Sequence, residues 1–109
     1  MRRPAVVLSG LTAATISAVL AVSAFGATKT IALKDDQFAP KTVTVTKGST
    51  VRWVWKGKAP HNVTVVSGPV KFSSKTQTKG SFSKMLMKKG VYKIVCTIHP
   101  GMNLTLKVK

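Results

Sequence analysis

The sequence predicts an all-β protein, a sandwich or small barrel of seven or so short strands behind an N-terminal export segment. Three observations predict it. Apolar residues alternate with polar ones in run after run, and Gly, Pro and Lys-Gly turn signals punctuate those runs. No stretch beyond the export segment shows a helical period. The 109 residues, 44% of them hydrophobic, are enough for one folded domain and not for two.

The first segment is an address. Arg2 and Arg3 follow the initiator Met, and residues 4–28 carry no charge and are rich in Ala, Val, Leu and Ser. A basic start, an apolar middle and a small-residue end make a secretory signal. Val22-Ser23-Ala24 and Ala24-Phe25-Gly26 both fit a cleavage site, and the second is preferred, giving a signal over residues 1–26 and a domain over 27–109. The alternative is an uncleaved anchor, since ~20 apolar residues span a bilayer. No Cys lies near the segment, so a lipoprotein is excluded. The expected location is the periplasm or the outer face of the cell envelope. Residues 1–26 account for Arg2 and Arg3, so the 83 residues left of 109 carry +14 of the chain's +16.

The strands follow in order. Ile31 and Leu33 open the domain, with Asp35 and Asp36 expected on opposite faces of a strand. Thr42 to Thr46 alternates, with Val43 and Val45 inward, and Lys47-Gly48 turns the chain. Val51, Trp53 and Trp55 share the next inward face. Asn62 to Ser67 is a third β-rich run, closed by Gly68-Pro69. Ser81 to Met87 is another, with Phe82 and Leu86 inward. Lys88-Lys89-Gly90 turns into Val91 to Cys96, where Tyr92, Ile94 and Cys96 face the core. Leu104, Leu106 and Val108 close the chain.

Composition removes several functions. Two Asp+Glu in the whole chain leave no catalytic carboxylate pair, and a single Cys leaves no intramolecular disulfide and no CxxC zinc or redox site. Small exported domains usually gain a disulfide or a metal. With the disulfide excluded, a metal is expected. The strong positive charge suggests nucleic acid, but export and the lack of a basic helix or stacking platform argue against that.

The chemistry falls in one loop and one distant histidine. Cys96-Thr97-Ile98-His99-Pro100-Gly101-Met102 offers a thiolate, an imidazole and a thioether within seven residues. A tight turn through Pro100 and Gly101 brings His99 and Met102 back towards Cys96. Loops at one end of a sandwich converge, so His61, after Pro60, can close the site. Singly, each residue has an ordinary reading: Cys96 and Met102 as core packing, His61 as a turn residue, His99 as surface. Jointly, both histidines and the only cysteine of the chain fall into one pattern. Soft sulfur plus imidazole selects copper, whereas structural zinc uses four Cys and His ligands and this chain has three. A Cys–His nucleophile pair is disfavoured because no acid is expected nearby to orient the base.

The chain resembles the cupredoxins, the small plastocyanin- and amicyanin-like blue copper proteins. Phe38-Ala39-Pro40, Val51-Arg52-Trp53, Pro60-His61-Asn62-Val63, Gly90-Val91-Tyr92 and the Cys96 to Met102 loop carry the likeness, which spans nearly all of residues 28–109. It implies a Greek-key β-sandwich and one type 1 copper. His61, Cys96 and His99 would be its equatorial ligands and Met102 its axial one. Asn62 would approach the Cys96 sulfur with its backbone N–H and tie down the loop near Thr97. The two-residue gap between His99 and Met102 is of the short amicyanin type. Leu104 and Ile94 stand where the family often has Gly and an aromatic. The implied function is single-electron transfer by a monomer that is not an enzyme, with an exported copper carrier or store as the alternative. His99 would be the electron port, in an uncharged patch of Ala59, Pro60, Pro100, Gly101 and Met102. Lys56 and Lys58 would steer a redox partner with an acidic docking surface. Anionic envelope polymers or lipid headgroups are a second destination for the charge.

Overall fold

The computed structural model describes residues 26–109. The predicted signal, apart from Gly26, lies outside the described residues. Eight strands follow in order: β1 Thr28–Lys34, β2 Gln37–Ala39, β3 Thr42–Val45, β4 Thr50–Trp55, β5 Thr64–Ser67, β6 Ser81–Met85, β7 Gly90–Val95 and β8 Asn103–Val108. There is no helix among the described residues. The strands form two four-stranded sheets, β2-β1-β4-β6 and β3-β8-β7-β5.

The predicted alternation becomes the core. Ile31 and Leu33 of β1 pair in parallel register with Trp53 and Trp55 of β4, and all four are buried. Facing them, Tyr92 and Ile94 of β7 lie opposite Leu106 and Leu104 of β8, again all buried. Val43 and Val45 extend that layer by pairing with Leu106 and Val108. Period-two side chains from two sheets therefore meet in one apolar slab, each large side chain contributing about 1.5–3 kcal/mol by leaving water. Tilted rings of Trp53, Phe72, Phe82 and Tyr92, with neighbouring centroids 5.8–6.4 Å apart, fill one flank.

Three details depart from the strand pattern read in the sequence. A short β2 exists, with Phe38 fully buried, and it pairs with β1 through Leu33↔Phe38. Asp35 and Asp36 occupy the turn between these two strands, not a strand, and Asp36 takes the left-handed conformation (φ 65°) that Asp tolerates better than most residues. Asn62 and Val63 lie before β5, and β6 ends at Met85; Leu86 instead exchanges backbone bonds with Gly48 and Ser49.

Strand directions separate two ends. β1 and β4 run towards the end holding Asp35 and His61, β7 arrives there at Cys96, and β8 leaves from Met102. The segment between β5 and β6 returns to the same end, where Gln77 bridges to His61.

Candidate metal centre

Cys96 directly follows β7 and continues its inward phase after Tyr92 and Ile94; it is 3% exposed. The chain then turns within a few residues. His99 N–H donates to Cys96 O (3.3 Å), Met102 N–H to His99 O (3.1 Å) and Cys96 N–H to Met102 O (3.1 Å). Gly101 makes the return possible with φ +88°, a region costly for residues with a Cβ. Met102, 1% exposed, is thereby locked beside Cys96 just before β8.

His61 arrives from the other side. Its N–H donates to Gln77 O, its carbonyl accepts from Gln77 N–H, and the same carbonyl accepts from Trp55 Nε1 at 3.0 Å. Three bonds fix the backbone of a residue whose side chain is fully buried. Asn62 then clamps the cysteine loop. Its N–H approaches Cys96 Sγ at 3.5 Å, its amide donates to Thr97 Oγ1 (2.8 Å) and Thr76 Oγ1 (3.0 Å), and its Oδ1 accepts from Thr97 N–H (3.2 Å) and Thr64 Oγ1 (2.8 Å).

The result is a triangle of donor atoms. His61 Nδ1 and His99 Nδ1 are 3.1 Å apart, and Cys96 Sγ is 3.4 Å from the second and 4.0 Å from the first. A triangle with those sides is acute. The point equidistant from its corners lies inside it, about 2.1 Å from each atom, against the ~2.0–2.3 Å that a first-row ion such as zinc makes with imidazole and thiolate. His61, Cys96 and His99 are the one His/Cys/Asp/Glu group of metal-binding geometry among the described residues. The donors present fit a metal ion, and two imidazoles with a thiolate and a neighbouring thioether fit copper.

Both carboxylates of the chain lie against this triangle, which the sequence did not foretell. Asp35 Oδ1 is 3.3 Å from His61 Nε2 and accepts from the N–H groups of Lys58 and Ala59, both at 2.9 Å. The Ala59 N–H, against a desolvation that works the other way and helped by His61 and the Lys58 N–H, holds the Asp35 carboxyl below its usual range. Asp36 Oδ1 is 3.6 Å from His99 Nε2. An acid does therefore stand beside a site histidine, contrary to expectation. The nucleophile reading still fails, because the Cys96 sulfur is buried away from any substrate. The patch around His99 is also corrected: Met102 is buried and not part of it, and exposed Asp36 adds a charge at the imidazole edge. The only signal in the sequence was rarity, two acids side by side before a Phe-containing strand.

A family model of copper-binding proteins, the plastocyanin/azurin family, matches residues 26–109. The chain belongs to this family. Solved structures agree with the fold. An oxidised proline-to-glycine variant of amicyanin superposes with TM-score 0.67 at 24% identity, covering 80% of this chain and 86% of amicyanin. A purple cupredoxin from Nitrosopumilus maritimus gives 0.67 at 22% identity, covering 74% and 99%. A copper-containing nitrite reductase from Thermus scotoductus gives 0.66 at 24% identity. There the match covers 74% of this cupredoxin but only 22% of the reductase. In this cupredoxin, His61, Cys96, His99 and Met102 are placed as a type 1 copper site, an arrangement consistent with electron transfer.

Proposed function

We propose that the chain is an exported single-electron carrier in which His61, Cys96 and His99 are the equatorial ligands of one type 1 copper and Met102 is the axial one. The observation that carries this reading is the triangle of two Nδ1 atoms and one Sγ around a point at metal-bonding distance. Bound there, copper supplies a one-electron couple between Cu(I) and Cu(II).

The residues supply rigidity and a route. Cys96 and Met102 are joined through their backbones, His61 is held by Gln77 and Trp55, and Asn62 ties both loops together. A donor set so fixed rearranges little between oxidation states. Cys96, His61 and Met102 are at most 3% exposed, whereas the His99 side chain is 26% exposed. His99 is therefore the edge through which an electron leaves, with exposed Pro100 and Gly101 following it in the chain. Both histidines of the chain are used in one site, so none remains for a second copper centre, which supports a carrier rather than an enzyme.

The 83 residues after the apolar leader bear +14, and Lys56 and Lys58 are exposed on the loop that leads to His61. The leader supports export of residues 27–109, and the charge supports docking to a redox partner with an acidic surface. Cyclic voltammetry of the copper-loaded protein tests the function. A reversible one-electron wave is expected. A tightly held Cu(I) that no redox couple oxidises reversibly would overturn electron transfer and favour copper carriage.

A further inference from the structure

Among the described residues, the ion-pair contacts of the two carboxylates are with the site histidines, and neither Asp35 nor Asp36 pairs with a lysine or arginine. In a chain with 18 Lys and Arg, that placement calls for a reason. The two contacts are not equivalent. Asp35 Oδ1 reaches His61 Nε2 within hydrogen-bond distance, whereas Asp36 stands 3.6 Å from His99 Nε2, beyond it, and is 74% exposed.

We propose that Asp35 is a positioning residue for the metal centre: it holds His61 as the Nε2–H tautomer, leaving Nδ1 unprotonated towards Cys96 and His99. This rests on the copper reading of the site. A carboxylate only accepts, so the shared proton must sit on Nε2. A ligand nitrogen must be bare, and a carboxylate on the opposite ring nitrogen both selects that tautomer and fixes the ring plane. The ring is fully buried, so its rotation and tautomer are set by these neighbours.

The carboxylate is itself anchored to the segment that delivers the histidine. The same Oδ1 accepts from Lys58 and Ala59 N–H, three and two residues before His61. One oxygen thus fixes both the approach of the chain and the ring at its end. Gly57 completes the cradle: a Cβ there would overlap the Asp35 carboxylate and crowd the Asp35 backbone nitrogen. The glycine is required by space, not by its own φ.

The test uses 15N-labelled, metal-free full chain at a pH where both imidazoles are neutral, with ring-nitrogen NMR and copper affinity read side by side. His61 Nδ1 is 3.1 Å from His99 Nδ1, so the two rings are coupled and the His61 signals carry the readout. Wild type is expected to show His61 protonated on Nε2 alone. Asp35→Asn keeps an oxygen acceptor and should keep that tautomer, with copper affinity within about threefold. Asp35→Ala should mix the His61 tautomers and lower copper affinity ~10–100-fold, the usual effect of losing such a partner. Gly57→Ala should behave like Asp35→Ala. An unchanged His61 tautomer in Asp35→Ala overturns the proposal. So does a mixed tautomer with unchanged affinity. Wild type that binds no copper would overturn the reading of the site, and the tautomer signals would still decide whether Asp35 orients His61.

Discussion

Asn62→Ala is the substitution that most directly tests how the site is held. The Asn62 side chain is almost fully buried and makes four hydrogen bonds, two from its amide to Thr97 and Thr76 hydroxyls and two to its Oδ1 from Thr97 N–H and Thr64 Oγ1. Each is worth about 0.5–1.5 kcal/mol net, and the Thr97 N–H loses its acceptor outright. Some hydroxyls can turn to water, so the expected loss is ~2–4 kcal/mol. In a domain of this size each kcal/mol moves the midpoint by about 4–8 °C, so Tm should fall by at least ~8 °C. Urea unfolding of the metal-free protein, followed by tryptophan fluorescence, measures it with the slope m as the check on two-state behaviour. The Asn62 N–H to Cys96 sulfur contact belongs to the backbone and should survive, so copper still binds, more weakly. A loss below about 1 kcal/mol with unchanged copper affinity would refute the idea that Asn62 ties the two loops.

Other outcomes follow from the same geometry. Leu106→Ala, at a fully buried position, should cost ~2–5 kcal/mol in the same unfolding assay; a loss under 1 kcal/mol would mean the slab is not close-packed there. Gly101 and Gly90 both have positive φ, but a Cβ at Gly101 meets nothing within 4 Å, whereas one at Gly90 meets Pro69 Cγ at 2.6 Å. Gly101→Ala should therefore cost about 1–2 kcal/mol of backbone strain and Gly90→Ala clearly more; the reverse order would contradict the packing. Replacing Lys56 and Lys58 together by Gln should slow oxidation by an anionic oxidant and flatten its dependence on ionic strength; unchanged rates would remove these lysines from any steering role.

Much of this was legible because two kinds of signal are local. Alternation in Val43/Val45, Val51/Trp53/Trp55, Tyr92/Ile94 and Leu104/Leu106/Val108 names the buried face directly, and these residues are the core. The site was legible through scarcity: with one Cys and two His, few constellations are available. What was missed depends on tertiary contact. β2 has three residues and one buried side chain, Phe38, too few for a period to register. Asn62 and Val63 look like strand, but the bonds of Asn62 to Thr76 and Thr97 commit that segment to the loops before β5 begins. Asp35 and Asp36 carry no pattern at all. Their meaning comes from a turn conformation and from loops more than twenty residues away in sequence.

The central claim is that two imidazoles, one thiolate and a thioether enclose a single copper. Titration of the purified protein with Cu(II), read by visible absorption, tests it most directly. One equivalent is expected to give an intense blue thiolate-to-copper band, absent in Cys96→Ser and altered in Met102→Ala. Bound copper in a colourless wild type would contradict it.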